Sequence, residues 1–398
     1  MPPKSKNTKK ENGFKKSLIL YPFNQKFPVV YDSTIDLFSK NYNLVYNPPK
    51  WAKFYWFKDN KLIRNTYYFI MRFLKRYLTK SPAKPESKDK GVLLYCFNQL
   101  PPPEFNFIID LETVLGMVGY DYSSLDEKVR KEISDRLASE KCKSINCWNN
   151  YAYSDLINFI DCSRFRKKIN IIPFAGREIK INKKPKKTLN FLFVASINNP
   201  VAFRTKGGFI ALEAYAKLAK KYKGIKFFVR ANVNKKLIKE YKNTPGLVLL
   251  TKYLSNEKMK ELFENSDILL EPFPGMDLMV KSMEFGIPVV GFDYECAYET
   301  IFDKKTGLLI DSKPVFGNRK NLDKYYKNQN ENYQKLFNKQ KCSIFAPEFV
   351  RKCEILVKNK NLLDKMSKNQ QALVGKNGKY SLEKRNRNLL KMINPHMK

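Results

Sequence analysis

Two cations and two glycines lie together in one short segment, and their order suits the binding of a phosphate group. Arg204 and Lys206 are followed at once by Gly207 and Gly208, where an amphipathic helical pattern begins. Just before them a predicted strand, LNFLFVAS, ends near Ser196. A helix N-terminus offers unpaired backbone N–H groups, and lysine adds a full positive charge. We predict a diphosphate site here; the alternative is a solvated loop in a lysine-rich chain.

Histidine chemistry is nearly absent from this sequence. The one histidine is His396, close to the end of the chain, where we expect it to be solvated; this argues against a histidine base, a histidine–zinc site and a Ser-His-Asp triad. Asp110 and Glu112, in FIIDLE at a predicted strand end, are the remaining candidates for a general base. Their alternative role is that of a capping or core-edge carboxylate. No D-x-D motif and no C-x-x-C pair occurs, so we predict no metal.

The elements that must position these residues alternate along the chain. Strand patterns such as SLILYPF, GVLLYCF, FNFIIDLE, KSINCW and INIIPF are separated by helical patterns, one of them from Ser124 to Glu140 with Ser123 or Ser124 as its cap. A second series follows, with LNFLFVAS, IKFFVRA, LVLL, DILLEPF and IPVVGFD, and with a Ser-capped helix at SNEKMKELFENS. Such alternation predicts parallel sheets that bind ligands at the carboxyl ends of their strands.

One stretch of the second series, from Ser266 to Asp311, carries a family resemblance. Its segments KSMEFGIPVV and YETIFDKKTGLLID resemble the donor-binding segment of glycosyltransferase family 4, and the similarity covers Leu189 to Asp311. The resemblance implies the α/β fold called GT-B, in which two Rossmann-like domains face each other across a cleft and C-terminal helices pack back. It implies a basic tail at 1–12, an acceptor domain at 13–178, a nucleotide-sugar domain at 189–345 and helices at 346–398.

The same resemblance implies roles for individual residues. Lys206 and Gly207 match the family's Lys-Gly pair, whose lysine neutralises the diphosphate as it leaves. The family's usual arginine position holds Val201, so Arg204 is the expected substitute. Glu299 matches the later glutamate of the family pattern. With the base candidate included, the expected catalytic residues are Lys206, Arg204, Glu299 and Asp110.

The family's pair of donor-binding glutamates is broken in this sequence. Phe273 and Lys281 stand at the two positions, and lysine cannot accept a hydrogen bond from a ribose hydroxyl. Asp277 or Glu284 could supply the carboxylate; alternatively, Lys281 and Glu284 form a surface ion pair. The expected donor-binding set is Ser196, Lys206, Gly207, Arg230, Gly275, Met276, Asp277, Lys281, Glu284 and Glu299.

The resemblance implies transfer of a sugar from a nucleoside-diphosphate sugar to a glycan, lipid-linked or protein acceptor. Most of the family retains the anomeric configuration, and the fold needs neither a metal nor a cofactor beyond the nucleotide sugar. The broken glutamate pair and the missing histidine keep an inactive GT-B-like binding protein open as an alternative.

The charge of the chain is strongly positive, with 75 Lys and Arg against 38 acidic residues. This excess predicts a polyanionic partner or reflects the composition of an AT-rich genome. The basic amphipathic pattern at 62–80 suggests an anionic membrane surface, or else a core helix with a basic outer face. No zinc-finger, RNP or helix-turn-helix signature supports a specific nucleic acid.

Without a signal-peptide pattern or a spanning apolar run, we expect a cytoplasmic protein, peripheral on the membrane if it binds one.

Overall fold

The protein was analysed as a computed structural model. The structure describes residues 16–21, 31–45, 92–120, 122–181, 187–199, 201–316 and 344–397. The expected basic tail at 1–12 and the basic amphipathic segment at 62–80 lie outside these residues, as does most of the segment between 312 and 341.

The first half of the chain forms a six-stranded parallel sheet, ordered β2-β1-β3-β4-β5-β6. Its central strand β3 is a continuous apolar run, and every residue of LLYCF is buried, as expected where both faces of a parallel sheet are covered. The strands are β1 Ser17–Tyr21, β2 Asn43–Val45, β3 Leu93–Phe97, β4 Asn106–Leu111, β5 Cys142–Cys147 and β6 Ile169–Ile171.

The second half forms another six-stranded parallel sheet, ordered β12-β11-β10-β7-β8-β9. The chain moves outward from β7 to β9 and then returns to place β10 on the other side of β7. The carboxyl ends of β7 and β10 therefore flank the point where the strand order reverses, which is where such sheets bind ligands. The strands are β7 Leu189–Val194, β8 Ile225–Arg230, β9 Leu247–Leu250, β10 Ile268–Leu270, β11 Val289–Phe292 and β12 Gly307–Ile310.

Helices connect the strands and close the fold. The Ser255 side chain accepts from the Lys258 N–H, which confirms the predicted cap. The cap predicted at Ser123 or Ser124 is wrong: both lie in a 3-10 turn, and Asp126 caps the helix that follows. The helices are α1 Asp32–Asn41, α2 Glu127–Ala138, α3 Asn150–Phe159, α4 Ala202–Thr205, α5 Gly208–Lys221, α6 Lys235–Tyr241, α7 Asn256–Glu264, α8 Met276–Glu284, α9 Ala297–Thr300, α10 Lys313–Phe316, α11 Ala346–Lys358, α12 Lys360–Ala372 and α13 Leu382–Ile393.

The last three helices pack back on both sheets. Helix α11 lies against α5 in the second half, whereas α13 returns to the first half. Leu389 and Ile393 of α13 join the core cluster that contains Leu18 and Phe38. The predicted architecture, two Rossmann-like sheets with C-terminal helices packing back, is confirmed. In the described ranges we find no helix long and apolar enough to cross a bilayer.

Candidate active site

The Lys206–Gly207 junction is held tightly against the loop that follows β10. Gly207 has a φ of 79°, a conformation that side-chain-bearing residues rarely adopt. A Cβ at this position would lie 2.5 Å from the Cβ of Pro272. Only glycine satisfies both constraints, and the close approach brings the segment after β7 onto the segment after β10.

The Lys206 ammonium lies in this junction among groups that favour its charge. Its Nζ is 3.8 Å from an Oε1 of Glu271 and would be 3.5 Å from a Cβ placed on Gly275. Burial opposes the charge, but the carboxylates of Glu271 and Asp277 outweigh it and raise the pKa of Lys206 above its ordinary value. About a quarter of the side chain stays exposed, so the cation can reach a ligand.

Two helix N-termini open at this junction without side-chain caps. Gly207 precedes α5 and Gly275 precedes α8, and neither glycine can supply the oxygen that usually satisfies the first N–H groups of a helix. Unsatisfied N–H groups beside a lysine suit an anion such as a diphosphate.

Glu271 is the residue at this junction that the sequence reasoning missed. It follows β10 directly, is fully buried, and accepts a 3.3 Å hydrogen bond from the Val194 N–H through Oε2. Its Oε1 has no hydrogen-bond partner among the described residues. Burial raises the pKa of Glu271 to about 8, although Lys206 lowers it. The signal was available, since an ionisable side chain interrupts the apolar run DILLEPF.

The other residues expected near the diphosphate lie at various depths. Ser196 and Arg204 are exposed, and Met276 is buried. Arg230, at the carboxyl end of β8, donates from Nη1 to the Ala195 carbonyl at 3.0 Å. It therefore braces the loop after β7.

The expected ribose side of the site is organised around an ion pair. The Nζ of Lys281 is 2.6 Å from Oε2 of Glu284, and Oε1 of Glu284 accepts from the Arg177 N–H at 2.9 Å. Both carboxylate oxygens of Glu284 are thus engaged by the chain itself. Asp277, by contrast, is exposed in the first turn of α8. Of the two candidate replacements, Asp277 is the one placed beside Lys206.

Glu299 occupies the N-terminus of a helix in the opposite half of the molecule. Its carboxylate accepts from the Asn150 N–H at 2.9 Å, the Asn150 side-chain amide at 2.7 Å and the Tyr151 N–H at 2.5 Å. Its backbone carbonyl accepts from the Tyr380 hydroxyl at 2.8 Å. The third orphan donor of α3, the Ala152 N–H, goes to Asn149. Glu299 joins the two halves and completes the cap of α3.

Asp110 lies in the core of the first half. Its Oδ1 accepts from the Asn146 amide at 2.6 Å, and only 2% of the residue is exposed. Burial raises the pKa of Asp110 to about 6, opposed by Asn146 and by the buried guanidinium of Arg385 on α13. This placement suits the core-edge alternative better than contact with a substrate.

Glu112 stands at the same strand end but faces the other half of the molecule. Its Oε2 accepts from the Tyr120 hydroxyl at 2.5 Å and from the Asn98 amide at 3.3 Å. Burial raises the pKa of Glu112, and the negative charge of Asp277 raises it further. Asp277 also acts on Lys206, so its charge is felt by a group in each half of the molecule.

The two donors to Glu112 are held in unusual backbone conformations. Asn98 has a φ of 54° and Tyr120 a φ of 62°, in the left-handed region that non-glycine residues seldom occupy. Glu295, whose charge acts on Tyr120, has a φ of 44°. Such strain persists only where the surroundings enforce it and clusters at functional sites. Sequence reasoning could not find Asn98 or Tyr120, because positive φ leaves no reliable mark in residue type.

The chain is similar both to a known protein family and to solved structures. Residues 176–341 match the family model of glycosyl transferases group 1. Anabaena HepE, solved in complex with UDP and glucose, shares 10% identity over 96% of this chain and all of its own, with a TM-score of 0.57. A glycosyltransferase from Rickettsia africae shares 14% identity over 97% and 99% of the two chains, with a TM-score of 0.54. The fold is GT-B.

Some proteins with similar structures are considerably longer than this chain. Pneumococcal O-GlcNAc transferase GtfA, solved with UDP and GlcNAc, shares 11% identity over 77% of this chain but 57% of its own, with a TM-score of 0.53. The chain covers 56% of S. aureus TarM. It therefore spans somewhat more than half the length of these two proteins. No curated protein sequence matches the chain.

Proposed function

We propose that this protein transfers a sugar from a nucleoside-diphosphate sugar to an acceptor hydroxyl. One observation carries the proposal: the Lys206 ammonium lies between two uncapped helix N-termini, at the point where the strand order of the second sheet reverses. A diphosphate needs a cation and N–H donors in this arrangement. The match to glycosyl transferases group 1 across the same residues supports the assignment.

Lys206 would act on the departing diphosphate. As the bond from the anomeric carbon to the diphosphate oxygen breaks, negative charge grows on that oxygen, and a preorganised cation stabilises it. The acceptor oxygen forms the new bond to the anomeric carbon, and its proton passes to the departing phosphate oxygen. This retaining course needs neither a strong enzyme base nor a metal ion. Arg204, exposed in the short helix α4 just before Lys206, would meet the outer phosphate.

Glu112 would orient the acceptor. Its second carboxylate oxygen is left for a substrate hydroxyl, because Tyr120 and Asn98 both donate to Oε2. Burial raises the pKa of Glu112, which makes its carboxylate a better proton acceptor than an exposed one. Acceptors rich in hydroxyls, such as glycans or lipid-linked sugars, fit a carboxylate, a phenol and an amide. The acceptor's location on an anionic membrane at the cytoplasmic face is part of this proposal and rests on the basic segment at 62–80.

A thermal-shift series with UDP, GDP, ADP and CMP tests the donor site, because a bound ligand stabilises the folded state in proportion to its saturation. We expect one nucleoside diphosphate to raise Tm, with UDP the first to try. Lys206→Ala should abolish the shift, whereas Lys260→Ala, which removes an exposed lysine on α7, should retain it. Release of free sugar from the matching nucleotide sugar then measures turnover. No shift with any nucleotide would refute the donor site.

An inactive binding protein of the same fold is the second candidate. The observation in its favour is that Lys281 replaces the carboxylate expected at the ribose and is already paired with Glu284 at 2.6 Å. This candidate predicts a nucleotide-dependent rise in Tm without release of sugar from any donor. The two measurements in the series therefore separate it from an active transferase.

A further inference from the structure

Glu271 is a fully buried carboxyl group that the proposed transfer reaction does not use. Burying a carboxylate is costly unless it is paired and fully hydrogen-bonded, and such a group usually takes up a proton instead. Glu271 has one 3.3 Å hydrogen bond, from the Val194 N–H, and its Oε1 has none among the described residues. These contacts stabilise an ionised carboxylate poorly, so a structural role alone does not account for Glu271.

The groups that face Glu271 come from three elements. Lys206 approaches from the loop before α5, with Nζ 3.8 Å from Oε1, and Asp277 acts on it from the first turn of α8. The Val194 N–H at the end of β7 donates to it. Lys206 is the single cation in this set, so an ionised Glu271 depends on it for compensation.

We propose that Glu271 competes with the bound diphosphate for Lys206, so that nucleotide binding is accompanied by uptake of a proton at Glu271. When Lys206 turns to the diphosphate, Glu271 loses its compensating charge, takes a proton from solvent and becomes neutral. The proton moves from water to a carboxylate oxygen, and no other bond changes. This inference rests on the proposed nucleotide site. It makes Glu271 a positioning residue that sets how readily the cation is released.

The competition makes nucleotide affinity depend on pH in one direction. The free carboxyl, with a pKa of about 8, is mostly neutral at pH 7 and leaves Lys206 available. Above pH 8 the ionised form of Glu271 pairs with Lys206 and competes with the nucleotide, so nucleotide affinity falls as pH rises. If binding raises the pKa of Glu271 by ~1, the linkage lowers affinity about fivefold between pH 7 and 9 and takes up about half a proton at pH 8.5.

Calorimetry measures the proton directly. The full-length protein is titrated at pH 8.5 with whichever of UDP, GDP or ADP stabilises it most, in two buffers of different ionisation enthalpy. The difference in heat gives the protons bound per nucleotide. A terminal phosphate, with a second pKa of about 6, is fully ionised at this pH and contributes none. We expect uptake by the natural chain and none by Glu271→Gln, which keeps an acceptor for the Val194 N–H.

Glu264→Gln serves as the matched control because Glu264 is a partly exposed glutamate on α7 that pairs with Lys260. It should take up the same proton as the natural chain. Nucleotide binding with no difference in heat between the buffers overturns the inference and leaves the proposed function standing, as does unchanged uptake in Glu271→Gln. Absence of binding by all three nucleotides overturns the proposed function itself. Should Glu271→Gln fail to fold, the natural chain alone still decides between uptake and none.

Discussion

The two halves of the molecule present similar helix N-termini to each other, and they treat them in opposite ways. At α3 in the first half, the orphan N–H groups are taken by the carboxylate of Glu299 and by Asn149. At α5 and α8 in the second half, the N-caps are Gly207 and Gly275, which bring no side-chain acceptor. The first arrangement is complete without a ligand, and the second is not.

This difference separates residues that hold the fold from residues that can bind an anion. Glu299 was expected in the donor site, yet its carboxylate already has three donors from α3. A carboxylate at a helix N-terminus gains from both hydrogen bonds and the helix dipole, so its release to a ligand would be costly. Lys206, beside the uncapped termini, is held among the described residues by its 3.8 Å contact with Glu271 and by the charge of Asp277.

The strongest test of the comparison removes the cation from the uncapped side. Lys206→Ala should lower kcat for donor turnover by about 10²–10³, the usual effect of deleting one preorganised group that stabilises developing charge. Steady-state kinetics of sugar release measures it. At pH 7 the free energy of unfolding should change little, because Glu271, with a pKa of about 8, is mostly protonated there and needs no compensating cation. Activity within threefold of the natural chain would remove Lys206 from the mechanism.

The capped side predicts the reverse pattern. Glu299→Ala should reduce the free energy of unfolding by about 2–3 kcal/mol, because it leaves the buried N–H of Tyr151 and the partly buried N–H of Asn150 without their charged acceptor. Denaturant unfolding measures this loss, with Glu264→Ala on the surface as control. Nucleotide affinity, measured well below the midpoint, should stay within about threefold. A loss of affinity larger than the loss of stability would place Glu299 in the donor site after all.

Sequence reasoning predicted the fold because buried parallel strands are continuous apolar runs, which are visible one segment at a time. It also predicted that Lys206 and Gly207 stand at the start of a helix after a strand, since these elements follow one another directly in the chain. It could not place Glu299, whose partners lie 149 and 148 residues earlier. Glu284 was ambiguous for the same reason: its bond to the Arg177 N–H spans 107 residues. Partners at such separations are set by domain packing, which no local pattern records.

Asp110 and Glu112 lie at the end of the same strand and test the difference between a residue that holds the fold and one that binds a substrate. Glu112→Gln should reduce turnover about 10- to 100-fold in a transfer assay, because the acceptor loses its carboxylate while nucleotide binding is kept. Asp110→Asn should instead reduce stability, since Asp110 bonds Asn146 and lies near the buried Arg385. Transfer kinetics and thermal unfolding of both variants check the assignment. If Asp110→Asn lowers turnover at unchanged Tm and Glu112→Gln does not, their roles are exchanged.

The pH dependence of stability follows from Glu271. Its native pKa of about 8 lies above the ordinary 4.5 of an unfolded glutamate, so between these values the native state binds more protons. Stability therefore falls as pH rises through this window and levels off above it. Glu271→Gln should raise Tm relative to the natural chain at pH 8.5 by a few degrees, and by less at pH 5. Scanning calorimetry of both chains at the two pH values measures the difference; an equal shift at both would show that ionisation is not the cause.

The smallest effect is expected at Lys281, where the sequence departs from the family pattern. Its Nζ is paired with Glu284 and its side chain is 45% exposed. Although Lys281 lies on α8, it therefore resembles Glu299 in already having a partner within the chain. Lys281→Met should change nucleotide affinity less than about threefold, because the Lys281 ammonium is already committed to the buried carboxylate of Glu284. Asp277→Asn, which alters the exposed carboxylate beside Lys206, should weaken binding more if Asp277 contacts the ribose. Titration of both variants with the preferred nucleotide ranks them, and a greater loss at Lys281 would mean that the lysine itself binds the donor.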